Sequence, residues 1–317
     1  MNKPVVVLSG NDGCVVARSN EVKELGIPMG ILYFKVKREL DAAGTAIFSS
    51  NFTLYRDVSS RVISVLKEEV FEVEQYSVDE AFFGLNGNKE EVFSQLVYLK
   101  NVIEIKVGIP VSVGAGVTKT IAKYASEKKK RGEGVCLLEG RSWQDEIDNI
   151  SLSQIWGIGR ATSQKMKECG LESVTDLLRA DTTWVGKLFG VAGVRKQAEL
   201  NEQIVHRLGE RADVEQKSIM STRSFKSSTT DPKVVEDSLA YHVSRVASEL
   251  RNKGLKARYL SVMARTDQHG DWMLRGGNND MTLDFPTDDT RELLKVTKRL
   301  WSELYESGVP YKKTGIN

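Results

Sequence analysis

Two adjacent carboxylates, Asp79 and Glu80, stand inside the otherwise apolar run Tyr76-Ser77-Val78-Asp79-Glu80-Ala81-Phe82-Phe83. Acids are costly to bury unless they are paired or hold a metal. On a regular strand neighbours point to opposite faces, so both acids can face one centre only near a turn or bend. Upstream, Val70-Phe71-Glu72-Val73-Glu74-Gln75-Tyr76 alternates like a half-buried strand. A hairpin with the acids at its bend satisfies both constraints. Hard oxygen ligands of this kind suit Mg²⁺, and paired Mg²⁺ ions serve in-line phosphoryl and nucleotidyl transfer. The same pair also fits solvated acids at a strand end, so its meaning rests on the rest of the chain.

With 317 residues the chain can form two or more domains with sizeable cores. Hydrophobic residues make up 40% and charged residues 28%, as in ordinary globular proteins. No run approaches the roughly 18 apolar residues of a membrane span. The Val-Val-Val-Leu run after Pro4 is broken too soon by Ser9-Gly10-Asn11 to be a signal peptide. Cys14, Cys136 and Cys169 are scattered, which fits free thiols in a reducing cytoplasm, and His206, His242 and His269 are too dispersed for a zinc site. The net charge of +2 is unevenly spread: residues 217–317 hold 17 Lys and Arg against 13 Asp and Glu, and the rest hold 28 against 30. That imbalance fits one module gripping nucleic acid and another holding metal, and equally a fluctuation of solvated charge.

The pattern predicts a small α/β piece over residues 1–50, with a strand Pro4–Ser9, a turn at Asn11-Asp12-Gly13 and a helix Ser19–Leu25 ended by Gly26. Leu54, Val58, Val62, Leu66 and Val70 recur at helical spacing and lead into the acidic hairpin; Val92, Leu96 and Leu99 begin another helical face. Val111 to Val117 reads as a buried strand whose glycines allow close backbone approach. Residues 141–213 read as helices with short glycine-marked turns. Residues 217–317 repeat a strand–helix–strand rhythm. Its first helix is capped by Asp231, with Pro232 at N1 and Gly254 at its end, and buries Val235, Leu239, Val243, Val246 and Leu250. A second, from about Asp288 to Glu306, buries Leu293, Val296, Leu300, Trp301 and Leu304.

Nucleotidyl transfer also needs cations for a triphosphate. Arg18 and Lys23 on the early helix region and Lys130 in the run Lys128-Lys129-Lys130-Arg131 are candidates, each also readable as a solvated charge. Trp156-Gly157-Ile158-Gly159 joins two helical runs. A Gly-x-Gly turn there exposes backbone N–H groups beside a helix N-terminus, which binds phosphate without reading sequence. With Gly170-Leu171 and Ser173 to Leu177 it reads as a helix-hairpin-helix; a plain tight turn is the alternative. Thr222, Arg223 and Ser224, in Ser221-Thr222-Arg223-Ser224-Phe225, could track a DNA backbone or form an ordinary polar strand.

The ordered set of these motifs resembles the UmuC-like Y-family translesion DNA polymerases, the catalytic-subunit type of the SOS-induced polymerase V. Val5 to Ser9, Asn11-Asp12-Gly13-Cys14-Val15 and Ala17-Arg18 resemble that family's fingers. Phe48-Ser49-Ser50-Asn51 with Tyr55 and Ser59 resembles the entry to its palm, and Ser77 to Phe82 its second metal-binding motif. Gly116 to Thr120 with Ala122-Lys123 is similar to the strand and helix that follow, Trp156 to Gly159 to the thumb hairpin, and Arg223-Ser224-Phe225 to the start of the little finger. The resemblance implies an α+β right-hand polymerase architecture: fingers over 1–50, palm over 51–140, a helical thumb with a helix-hairpin-helix over 141–213 and an α/β little finger over 217–317. It implies Asp79 and Glu80 as metal-site acids, with Glu80 nearer the catalytic step. Arg18, Lys23 and Lys130 would contact the triphosphate. It implies Mg²⁺ as cofactor, primer-template DNA and a deoxynucleoside triphosphate as partners, accessory subunits, no membrane, and a cytoplasmic, nucleoid-associated place in DNA repair.

The family pattern begins with a strand carrying another metal-binding Asp and an aromatic steric gate, and neither matches a segment here. Asp79 and Glu80 are then two of three expected carboxylates in a two-metal site that is incomplete. A unit charge pair in contact is worth on the order of 4 kcal/mol at an effective dielectric near 20, and half of that exceeds a tenfold rate change. A palm strand contributes about five ladder bonds of about 1 kcal/mol each, against a domain stability of about 5–15 kcal/mol. The expectation is a chain inactive or severely impaired as a polymerase. Its last residues, Tyr311 to Asn317, fall in the last little-finger strand, so clamp contact through the family's tail is not expected. A non-catalytic damaged-DNA-binding remnant that interferes with an intact polymerase is the alternative, and a different two-metal phosphotransferase the third.

Overall fold

The computed structural model describes residues 3–128, 134–148, 150–209, 217–267 and 276–317. They group into two compact units, one of residues 1–51 with 215–317, the other of 52–214.

The first unit opens with β1 (Val5–Leu8), β2 (Val15–Arg18), α1 (Asn20–Glu24), α2 (Tyr33–Ala42) and β3 (Ala46–Ser49). The sheet order is β2-β1-β3, with β1 antiparallel to β2 and parallel to β3. Val6, Leu8, Val15, Val22, Ile27, Val36 and Leu40 form its core. The β1–β2 turn needs a left-handed residue, and Asp12 takes it at φ 54°. Ser9 Oγ steadies the turn by accepting the N–H groups of Gly13 and Cys14, each at 3.2 Å.

The second unit begins with α3 (Phe52–Glu69), β4 (Val73–Gln75), β5 (Ala81–Phe83) and α4 (Lys89–Val107). The alternation from Val70 to Tyr76 yields a strand of only three residues. The Val70 N–H still donates to the Leu66 carbonyl at 2.9 Å, so α3's last turn consumes the start of that run. Phe71 then points wholly into solvent. β4 and β5 pair antiparallel with Glu74 opposite Phe82. A parallel β6–α5–β7 unit follows: β6 (Val113–Gly116), α5 (Lys119–Lys128), β7 (Val135–Leu138). Glycine is required in β6, because a Cβ on Gly114 would lie 2.1 Å from the Ser126 backbone nitrogen of α5. The β4–β5 and β6–β7 ladders are separate two-stranded sheets.

Among the described residues four helices complete this unit: α6 (Arg141–Ile147), α7 (Arg160–Glu168), α8 (Val174–Arg179) and α9 (Thr182–Leu200), with a 3-10 turn at Leu152–Gln154. α9 is kinked at Gly190, whose φ of 64° is non-helical. Trp143, Ile150, Leu152, Met166, Leu177, Val185 and Leu200 pack with Ile121 of α5.

The first unit resumes with β8 (Ser221–Thr229), α10 (Pro232–Asn252), β9 (Ala257–Thr266), β10 (Gly276–Thr287), α11 (Thr290–Leu304) and β11 (Tyr311–Ile316). The antiparallel sheet runs β10-β9-β11-β8, so the last strand of the chain sits inside it. Asp231 caps α10 by accepting the Lys233 N–H at 2.9 Å. The predicted stripe of α10 is buried throughout. On α11 the buried face is Leu293, Thr297, Leu300 and Trp301, with Val296 and Leu304 only partly covered.

Candidate active site

Asp79 and Glu80 lie in the bend between β4 and β5, where the alternation predicts it. The N–H groups of Tyr76 and Ser77 both donate to the Glu80 carbonyl, at 2.9 and 3.0 Å. Ser77 Oγ donates to Asp79 Oδ1 at 2.6 Å and accepts the Asp79 N–H at 3.2 Å. These bonds hold the bend; Asp79 is exposed and Glu80 half-buried. Glu80 is ion-paired with Lys123 of α5, which also reaches Glu127 at 3.0 Å. Burial alone would lower the Lys123 ammonium, but its hydrogen bonds to Glu80 and Glu127, with their charges, hold it above its ordinary range. Among the described residues no group of three or more His, Cys, Asp or Glu is arranged to hold a metal ion. The bend supplies two hard oxygen donors, which fit Mg²⁺ as two of its ligands, and Lys123 competes for one of them.

Beside the acids runs a buried charge network. Lys119, one turn before Lys123, bonds Glu74 at 2.7 Å, with side chains 9% and 2% exposed. The Lys119 ammonium also donates to the Arg207 carbonyl at 2.8 Å, and Glu74 accepts the Gly209 N–H at 3.0 Å. Glu199 of α9 accepts from the Thr120 hydroxyl at 2.5 Å and from the His206 N–H at 3.0 Å. α5 is thereby fastened to both the hairpin and the segment after α9.

The Trp156-Gly157-Ile158-Gly159 turn is docked on the same hairpin. Trp156 Nε1 donates to the Tyr76 hydroxyl at 3.2 Å, and its ring lies edge-on to Tyr76 and tilted against Phe82, at 5.3 and 5.7 Å. Gly157 has φ +85°, which favours glycine, and Ile158 is buried. Gly159 caps α7 without a side chain, leaving the first-turn N–H groups of the helix free of a side-chain cap.

Lys196 sits over the Trp156 ring at 4.6 Å and donates to Thr120 Oγ1 at 2.8 Å. Burial, opposed by Glu199, pushes its ammonium down from 10.5 to about 8. The unfolded chain therefore binds more protons than the folded one between those values, and stability gains from this residue as pH rises through the window. Lys196→Met should remove that gain while keeping the stacked stem. Urea unfolding of both proteins at pH 7 and pH 10 checks this: their stability difference should shrink or change sign in favour of the wild type at the higher pH.

No motif in the sequence marks Lys119, Lys123 or Lys196 as a site residue. The i, i+4 spacing of the first two on the helix after the hairpin is a usable signal. Lys196 has none, because it lies about 40 residues beyond the turn that it stacks on.

The remaining candidates lie in the unit of 1–51 and 215–317. Arg18 ends β2 opposite Val6, half-buried, and its Nε has no hydrogen-bond partner among the described residues. Lys23 is exposed and donates to Asn20 Oδ1 at 3.0 Å. Lys130 lies outside the described residues. Thr222, Arg223 and Ser224 stand on the edge strand β8, opposite Gly315, Thr314 and Lys313. Arg223 is exposed and, with Lys226 and Tyr241, borders a depression of about 360 Å³.

Residues 1–127 match the impB/mucB/samB family, and residues 216–317 match the C-terminal domain of that family. The chain is 33% identical over 322 residues to Protein UmuC of Salmonella typhimurium, covering 99% of this chain and 76% of that one. This chain belongs to the impB/mucB/samB family. As a UmuC-like Y-family member it is also 33% identical to SamB of Salmonella typhimurium, over 99% of this chain and 76% of that one. To DNA polymerase IV of Treponema denticola this UmuC-like chain is 24% identical, over 100% of its length and 78% of that protein's. Its α+β fold matches a solved Y-family DNA polymerase chimera with a TM-score of 0.79 at 22% identity, over 99% of this chain and 91% of that one.

Proposed function

We propose that this chain inserts nucleotides opposite damaged template bases, in the DNA-damage response, at a centre built on Asp79 and Glu80. The observation that carries this reading is the docking of the Gly157-Ile158-Gly159 turn, through Trp156, onto the hairpin that bears the two acids. A cation-binding bend and a phosphate-binding turn then belong to one framework. Residues 1–50 act as fingers, 51–140 as palm, 141–213 as thumb and 217–317 as little finger.

Asp79 and Glu80 would hold Mg²⁺, which when bound neutralises charge on the transferred phosphoryl group and activates the attacking hydroxyl. Lys123 keeps Glu80 neutralised and oriented until that charge is needed. Arg18, Lys23 and Lys130 neutralise the triphosphate. The N–H groups after Gly157 take a DNA phosphate, and Thr222, Arg223 and Ser224 track the backbone. The place of action is the nucleoid. With two carboxylates, one of them engaged by Lys123, turnover is slow. A DNA-binding chain without turnover is the second reading, favoured by that same ion pair.

Two assays test this. Primer-template DNA should bind with log affinity falling steeply as log salt rises, and Arg223→Ala should lower that slope by about 1 for every sequence tested. Slow primer extension should accompany binding and vanish in Glu80→Ala. Binding without extension would select the second reading. Absence of DNA binding, or extension indifferent to Glu80→Ala, would overturn the proposal.

A further inference from the structure

Asn86 and Gly87 stand between β5 and α4, in the unit of residues 52–214. Theirs is the only Asn-Gly step of the sequence. Both residues are exposed. Among the described residues the Asn86 carboxamide has no hydrogen-bond partner, and neither has the Gly87 N–H. The chain on either side is held by other groups. The Asn86 carbonyl accepts Gln95 Nε2 at 3.2 Å, and Asn88 caps α4 by accepting the N–H groups of Glu90 and Glu91, each at 3.1 Å. Gly87 has φ +139°, which favours glycine, and a Cβ there would lie 2.7 Å from Glu91 Oε2. Position 87 is therefore kept free of a side chain that would screen its nitrogen. The β1–β2 turn holds the comparable step Asp12-Gly13, but there the Gly13 N–H donates to Ser9 Oγ at 3.2 Å.

We propose that Asn86 is a self-modification site: its side chain cyclises onto the Gly87 nitrogen, and water converts the ring to aspartate and isoaspartate. The Gly87 nitrogen gives up its proton and attacks Asn86 Cγ. A new N–Cγ bond closes a five-membered imide; the Cγ–Nδ2 bond breaks, and ammonia leaves with the proton. Water then adds to one of the two imide carbonyls. Opening the ring at Cγ gives aspartate, and opening it at the main-chain carbonyl gives isoaspartate. One water is consumed, one ammonia is released and no electron is transferred. The two products act differently on α4. Leu85, packed on the core of Leu96, Val113 and Val135, fixes the chain before the site, and the Asn88 capping box fixes it after. Isoaspartate inserts a methylene between these anchors and turns the carbonyl that Gln95 bonds into a carboxylate off the chain, so the start of α4 loosens. Aspartate keeps the backbone and adds one negative charge beside the N-terminus of α4, where the helix dipole favours it. The reaction needs only water, so it stands apart from the polymerase reading.

The purified full chain is incubated at pH 7 and pH 9 beside a free peptide of residues 82–91, and both are followed by peptide mapping with electron-transfer fragmentation. Position 86 should gain about 1 Da in both samples, at rates within about threefold of each other, and carry both aspartate and isoaspartate. The rate should rise at least about tenfold from pH 7 to pH 9, because the attacking nitrogen must lose its proton. Every other asparagine, and isoaspartate formation at Asp12, should lag at least about tenfold behind. Amide exchange at residues 88–92 should quicken at least about threefold in the isoaspartate fraction and stay unchanged in Asn86→Asp. Asn86→Gln should stop the change at position 86; the comparison with the free peptide decides the matter even if that variant fails to fold. Protection of the folded chain by more than about tenfold over the peptide, or an Asn86 that changes no faster than the other asparagines, would overturn the proposal.

Discussion

Glu80→Ala is expected to abolish measurable primer extension by this chain while leaving its affinity for primer-template DNA within about threefold of the wild type. Glu80 is one of only two acids in the bend, and its charge acts at contact distance on whatever cation the bend holds. At an effective dielectric near 20 such a contact is worth on the order of 4 kcal/mol, or roughly a thousandfold in rate. In the proposed function DNA affinity would rest instead on cations and backbone N–H groups away from the bend. Glu80→Gln keeps the shape of the side chain and loses its charge, so it should fail as badly as Glu80→Ala. Single-turnover extension and fluorescence anisotropy read the two effects separately. Extension retained by Glu80→Gln would assign the residue a packing role.

Lys119→Ala should destabilise the chain by about 3–5 kcal/mol, the cost of leaving the other member of a buried ion pair without its counter-charge. Glu74 is 2% exposed at its side chain, and once Lys119 is gone only the Gly209 N–H, among the described residues, still meets its carboxylate. The Arg207 carbonyl loses the same donor. Loosening should therefore start where the segment after α9 meets the hairpin. Replacing both partners, Lys119→Met with Glu74→Leu, should cost much less, since no charge is then stranded. Urea unfolding at equal m-value gives the comparison, and a double variant as unstable as the single one would contradict it.

Local rules carried much of this architecture. The cap at Asp231, the glycine ends of α1 and α10, and the stripe from Val235 to Leu250 follow from side-chain chemistry within one or two turns. The acid bend was legible for the same reason, because alternation on either side leaves few places for two charged neighbours. The first strand of the hairpin was overextended, since no local signal says that α3 keeps Val70. The buried faces of Lys119 and Glu74, 45 residues apart, depend on α5 crossing the hairpin, which only tertiary packing decides. Lys196 over Trp156 is of that kind too. The two separate ladders likewise could not be read from residue type: β5 and β6 are apolar and glycine-bearing runs that would suit a fully paired sheet equally well.

The central claim is that the Asp79–Glu80 bend is where this chain holds its divalent cation. Manganese binding, followed by electron paramagnetic resonance on the wild type and on the Asp79→Ala/Glu80→Ala double variant, tests it most directly. The account predicts a saturable site in the wild type, strengthened when Lys123→Met frees Glu80, and lost in the double variant. Equal stoichiometry and affinity in the wild type and the double variant would contradict it.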